Sequence, residues 1–253
     1  MKARGVMNEN RPDSAGTAEI HYGNKLNLNR SEQDGIVFHL AFGIITLLTL
    51  LSSPDESMGF RIWYLIIGWY AGIIWVAIRR LHSDWLLILK FLVPLCCFFV
   101  FPDGFLATVL HTLEFTDMGV GMIYNVTSFM PLMWSIPLFM STMIGRGMKA
   151  RGASTCHAAL CAGMAASIIF TASEEILTQI PIWVATENCR KVGNVAIYVV
   201  LPEFILGMLT FLAIKNFTHR PFWLQIFVAF TVTSAYLGNL AVFHLAINHG
   251  HQH

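Results

Sequence analysis

Long apolar runs alternate with short polar connections along this chain, and seven of the runs approach the roughly 20 residues needed to cross a bilayer as a helix. The first, Gly35 to Pro54, is free of charge and interrupted only by His39. The second, Ile62 to Ile78, lies between Arg61 and the Arg79-Arg80 pair and carries Trp63, Trp69 and Trp75, residues suited to the membrane interface or to packing. The third, about Trp85 to Phe101, contains Pro94 and also Lys90, close enough to one end for its stem to carry the ammonium to the headgroups. Residues 103–128 are too polar for a simple span and too apolar for a simple loop, and are expected to form a re-entrant or interfacial helix. The fourth run, about Phe129 to Gly145, holds Pro131 and Pro137 with Trp134 between them. The fifth, about Gly152 to Ser173, is rich in Ala, Gly, Ser and Cys, which let helices approach closely in lipid, and it ends in Glu174-Glu175. The sixth, Val195 to Ile214, has Glu203 at its middle, and the seventh, Phe222 to Ile247, has no Asp, Glu, Lys or Arg.

The pattern predicts an all-α fold: a polytopic membrane helix bundle of about seven transmembrane helices over residues 35–247. A polar tail over 1–34 precedes it and a His-rich end over 248–253 follows. Composition agrees, since 55% of the 253 residues are hydrophobic and only 12% charged, a balance foreign to a water-soluble globule. The net charge of +1 and the absence of basic runs give no sign of a nucleic-acid partner. Five cysteines, four of them in apolar runs, read as core residues rather than a disulfide framework.

Charge distribution then orients the bundle, because cytoplasmic loops carry the Lys and Arg excess. The connections after runs two, four and six hold Arg79, Arg80, Arg146, Lys149, Arg151, Lys215 and Arg220, whereas those after one, three and five hold only Arg61, Arg190 and Lys191. The N-terminus is therefore expected to be cytoplasmic, and Glu114, Asp117, Glu174, Glu175 and Glu187 are expected together on the opposite side. No internal repeat is apparent, which counts against an inverted-repeat transporter.

Glu203 is the leading functional candidate, because a carboxylate at mid-membrane costs a few kcal/mol even on the lenient insertion scale. Pro202 beside it removes a backbone donor and disturbs the preceding turn. The competing reading is a protonated carboxyl that only locks two helices together. Of Glu174 and Glu175, adjacent residues about 100° apart on a helix, at most one can face the interior, and a hydrated helix end is the alternative for both. On a helix His111 and Glu114 would share a face, as an acid/base pair or half of a metal site, although one His with one Glu falls short of a ligand set and no metal is expected. Tyr236 and Asn239 share a face of the last run, where Asn239 suits a hydrogen bond between helices. His249, His251 and His253 have no defined geometry, and Asn125-Val126-Thr127 is a glycosylation sequon close to the membrane.

The order of these features resembles the membrane carotenoid-biosynthesis proteins, the multi-span carotenoid hydratases and the related lycopene cyclases. The resemblance runs from Glu114 through Gly119, Gly121, Tyr124 and Asn125 to Pro131 and Trp134. It continues across the small-residue run to Glu174-Glu175, Pro181 and Trp183, then to Asn194 and the Pro202-Glu203-Phe204-Gly207 stretch. It covers roughly residues 105–212 and is one of spacing and residue type. The chain departs from that pattern in its paired Glu174-Glu175, where an Asp-Pro type motif is expected, and in lacking a Trp-rich segment before Asn194. The resemblance implies an integral membrane enzyme without cofactor that carries out non-redox, acid-catalysed cyclisation or hydration of a lipid-soluble isoprenoid. Glu203, Glu174, Glu175 and Glu114 would supply the acid. Aromatic faces of Trp134, Trp183, Tyr124 and Tyr198 would stabilise a cation, with His111, Asn125 and Asn239 around the substrate. Two other classes remain open on the residues alone: a carrier with an intramembrane Glu, and a non-catalytic multi-pass membrane protein.

Overall fold

A computed structural model describes residues 28–51, 58–177, 180 and 182–248. Among these, the chain runs α1 (Arg30–Leu51), α2 (Met58–Arg80), α3 (Ser83–Phe98), α4 (Val100–Thr108), β1 (Leu113–Phe115), β2 (Met122–Ile123), β3 (Val126–Thr127), α5 (Met130–Met133), α6 (Ser135–Ala150), α7 (Thr155–Leu177), β4 (Trp183–Ala185), β5 (Lys191–Val192), β6 (Val195–Ala196), α8 (Ile197–Phe217) and α9 (Phe222–Asn248). Six helices are long and apolar enough to cross a membrane: α1, α2, the α3–α4 run, α7, α8 and α9. The chain is a multi-pass integral membrane protein built as a helical bundle.

Three of the expected boundaries move, each for a local reason. The first helix begins at Arg30, inside the expected tail, because Asn29 and Glu32 form a capping box: Asn29 Oδ1 accepts from the Glu32 N–H at 2.8 Å and Glu32 Oε2 from the Asn29 N–H at 2.8 Å. The third run extends to Thr108 with a break at Phe99, since Pro102 has no N–H to offer the Phe98 carbonyl. The fourth run is likewise divided at Trp134, where Pro137 cannot donate to Met133, so neither α5 nor α6 alone reaches spanning length. The His-rich end at 249–253 and Pro181 lie outside the described residues.

Residues 103–128 form neither a re-entrant nor an interfacial helix throughout. After α4 the backbone turns left-handed at His111 and becomes strand. β1 pairs antiparallel with β4, Glu114 opposite Val184, and each is followed by a tight hairpin, β2–β3 and β5–β6. The first hairpin turns on Tyr124 and Asn125, both at positive φ, and the second on Gly193-Asn194, with positive φ at Gly193. These are two-residue turns whose twist matches the strands. The structure thus contains two like strand-and-hairpin units, each leading into a helix, although no repeat is apparent in the sequence.

The two ends of the bundle differ in charge and in build. At one end Asp34 meets Arg80 and His82, Asp84 meets Arg146 at 3.1 Å, and Glu32 meets Arg151 at 2.8 Å, tying the starts of α1 and α3 to the ends of α2 and α6. The strands and hairpins lie at the other end, where the Arg190 N–H donates to Asn248 Oδ1 at the close of α9. Between them α8 is the most enclosed span, with 56% of its apolar window buried, against 6% for α1. It packs on α7 through small residues. A β carbon at Gly207 would fall 2.9 Å from the Ala162 carbonyl oxygen and 3.1 Å from the Gly163 Cα, so only glycine permits this approach.

Gly207→Ala should therefore destabilise the purified protein by about 1–3 kcal/mol through overpacking. Gly238→Ala on α9, where a β carbon meets nothing within 4 Å, should be neutral or slightly stabilising. Thermal denaturation in detergent reads both.

Candidate functional site

Both helix breaks open onto one place. Phe99 and Trp134 sit at the two interruptions with their rings 4.9 Å apart, and Trp134 Nε1 donates to Asp103 Oδ2 at 2.9 Å. Asp103 lies in the first turn of α4 and is 1% exposed. Beside this pair is a cavity of about 570 Å³, in the range of small-molecule sites, walled by α1, α2, α4–α8, α9 and the paired strands β1 and β4.

Three carboxyl groups line it. Asp103 comes from α4, Glu174 from the last turns of α7 and Glu203 from α8, one residue past Pro202. Glu174 accepts from the Ala196 N–H at 3.3 Å, at the junction of β6 and α8. Glu203 is 3% exposed, and its Oε2 has no hydrogen-bond partner among the described residues; on α1, across the cavity, Thr46 Oγ1 is in the same position. Glu203, Glu174, Asp103 and Tyr236 all line this one cavity. No Lys, Arg or His among the described residues lines the cavity. The remaining wall is apolar and aromatic, with Trp134, Trp183, Phe170 and Tyr236 turned to it. Ile168 and Ile176 on α7 also line it while 66% and 65% exposed, so the cavity opens sideways along α7 onto the apolar perimeter of the bundle.

Of the residues singled out from the sequence, this cavity gathers Glu203, Glu174, Trp134, Trp183 and Tyr236. Beside Pro202, Ser167 Oγ on α7 donates to the Val200 carbonyl at 3.2 Å, a bond between helices at a different carbonyl from that of Tyr198, which Pro202 leaves without its helical donor. Glu175, on the neighbouring face of α7, is turned away: its Oε2 accepts from the Asn194 N–H at 3.0 Å and holds the second hairpin turn. Glu114 and His111 do not form a pair. Glu114 is exposed on β1, and the His111 carbonyl binds Thr186 and Asn188, because the stretch is strand rather than helix. Tyr124 and Asn125 are exposed at the first hairpin turn, the Tyr124 ring covering Gly104. Tyr198 is buried behind the cavity wall with its hydroxyl 2.7 Å from Thr112 Oγ1, and Asn239 bonds the Ala235 carbonyl of its own helix. Asp103 escaped the sequence reading altogether. A Pro-Asp pair at the end of an apolar run was the available signal, obscured because that run was expected to stop at Phe101.

The model of a family described as a domain of unknown function (DUF6989) matches residues 100–247, which include all three cavity carboxyls. No curated protein and no solved structure matches the chain.

Trp134→Phe keeps the ring and removes the indole N–H, leaving a buried Asp103 oxygen unsatisfied. It should cost about 1–3 kcal/mol of stability, and the double variant Trp134→Phe/Asp103→Leu should recover part of that loss. A double-mutant cycle by thermal denaturation checks the coupling; additive effects would mean that the bond contributes nothing.

Proposed function

We propose that this chain, which belongs to the DUF6989 family, is an integral membrane enzyme carrying out non-redox, acid-catalysed chemistry on an apolar polyene of isoprenoid type. The observation that carries the reading is the convergence of Asp103, Glu174 and Glu203 in a largely apolar cavity without a basic residue among the described residues. Three carboxylate charges packed together in such surroundings would repel one another strongly, so the reading has the site hold at least one proton. Glu203, whose Oε2 has no partner among the described residues, is assigned as donor. Asp103 and Glu174 already accept N–H groups and are assigned as acceptors.

In the proposed reaction the Glu203 proton adds to one carbon of a double bond and leaves a tertiary cation on the other. The π electrons of a second double bond close a ring onto that centre, and the displaced positive charge is quenched by loss of a proton to Glu174. A proton entering and a proton leaving make cyclisation an isomerisation with no co-reactant; addition of water in place of the last step gives hydration. The faces of Trp134, Trp183 and Tyr236 offer quadrupoles to the cation. The sideways opening suits a substrate drawn from the bilayer. The resemblance to carotenoid hydratases and lycopene cyclases points to the same class of chemistry, and four of the residues carried over from it line the cavity.

The same reading counts α5–α6 as a seventh, broken span and places the basic end of the bundle in the cytoplasm, the N-terminus with it. Its support is that α6 follows the hairpin end and finishes beside Asp84 at the basic end, as well as the bias of Lys and Arg. A reporter fused after His253 should then be active only in its non-cytoplasmic form.

The catalytic reading is tested in deuterated water with purified protein and the apolar lipid extract of its native membrane. Protonation of carbon should place one solvent deuteron in a product seen by mass spectrometry. Glu203→Gln should lower incorporation by about 10²–10⁴-fold, as expected for loss of a general acid. Glu175→Gln should stay within about twofold of wild type if it is properly inserted. Lipid bound by the wild type without deuterium uptake would replace the enzyme with a carrier.

A further inference from the structure

At the opposite end of α8 from the carboxyl cavity lies a second cavity of about 230 Å³, lined by Arg146 and Lys149 of α6, by Phe211, Ile214 and Lys215 of α8, and by Thr218 and His219 just beyond it. Twelve residues separate Glu203 from Lys215, so the two sites are about 18 Å apart along the helix axis. Four of the seven lining residues are basic and none is acidic. Only part of this charge is used internally. Arg146 pairs with Asp84 at 3.1 Å through one guanidinium nitrogen, and Lys149 Nζ donates to the Ala153 carbonyl at 3.1 Å. Lys215 Nζ and the His219 ring have no hydrogen bond or ion pair among the described residues.

Basic residues at a helix C-terminus often serve only to satisfy the last carbonyls. Here a different residue does part of that work, at the C-cap of α8 and in the turn that follows it. The buried Gln225 amide of α9 donates to the Thr218 carbonyl at 3.1 Å and to the Arg220 carbonyl at 2.7 Å. The cavity is thus a walled cationic recess at the end of a membrane bundle, with Phe211 and Ile214 as its apolar floor. It is too small for a drug-sized ligand and wide enough for one phosphate group, for which lysines supply point charges and arginine a planar fork.

We propose that this recess binds a phosphate group, carried on the headgroup of an anionic membrane lipid or free in solution. Arg146, Lys149 and Lys215 are its cationic wall, with the His219 ring beside them. The site is separate from the carboxyl cavity and does not depend on the reaction assigned to it.

The test uses full-length protein in neutral phosphatidylcholine nanodiscs, titrated with phosphatidylglycerol in one arm and with inorganic phosphate at constant ionic strength in the other. Native mass spectrometry and the shift in thermal midpoint are read in both. Retention of one phosphatidylglycerol per chain with no response to phosphate identifies a lipid site; a response to inorganic phosphate identifies a free-phosphate site. In either case Lys149→Gln/Lys215→Gln, which takes two ammonium groups from the wall, should weaken binding about thirtyfold. Arg79→Gln/Arg220→Gln, which removes as much charge outside the cavity, should change it less than about threefold. Both lysines are exposed, and Lys215→Gln alone provides a milder variant should the pair unfold. Binding of neither probe, unchanged binding in the lysine variants, or equal loss in the arginine variant would overturn the proposal.

Discussion

In an apolar solvent a helix must satisfy its own backbone, and each place where it fails to do so has to be answered by a neighbour. Pro102 and Pro137 impose two such failures, at Phe99 and Trp134, and the fold brings them together. The indole N–H of Trp134 answers Asp103, and the rings at the two breaks meet at a tilt of 43°. A pair of uninterrupted helices would close over this space with side chains. Two broken ones leave a cavity whose wall includes Asp103, at the start of the helix that follows the first break.

The strand units complete that wall from one end. β1 contributes Leu113 and Phe115 to the cavity and β4 contributes Trp183, so the pairing of two strands almost seventy residues apart positions half of the lid. The second hairpin is tied to α7 by its adjacent glutamates. Glu175 fixes the turn at Asn194, while Glu174 reaches the Ala196 N–H where the second hairpin becomes α8. One acidic dipeptide thus supports the lid with one side chain and supplies the site with the other, a division that follows from the 100° between neighbours on a helix.

How much of this was legible beforehand depended on the range of the interactions concerned. Glu203 and the central α8 stand out because a lone charge in a long apolar run is a local anomaly, and the division of Glu174 from Glu175 follows from helix geometry alone. Asp103 did not stand out because its helix break hides where the span ends, and a carboxyl at the start of a segment read as re-entrant or interfacial attracts no attention. His111 with Glu114 looked like a helical pair because strands of two or three residues are too short to show a period of two. What makes residues 113–115 a strand is β4, which lies far along the chain. The two strand-and-hairpin units share Asn and Val at their turns and little else, so their likeness appears in the backbone and not in the residues.

The two cavities stand in contrast on a single helix. Near the hairpin end α8 carries Glu203 into apolar surroundings that contain other carboxyls and no cation among the described residues; near the basic end it carries Lys215 into a recess lined by Arg146, Lys149 and His219 as well, with no carboxyl among its described lining residues. Such segregation does not serve stability, since opposite charges placed together would offset each other's desolvation. Stability has in fact been secured separately, by pairing Asp34, Asp84 and Glu32 with Arg80, Arg146 and Arg151 at the helix ends. Charges left unpaired after that pairing are the ones whose cost is best explained by something that binds or reacts. Glu203 and Lys215, twelve positions apart on the most enclosed helix, are both of that kind among the described residues.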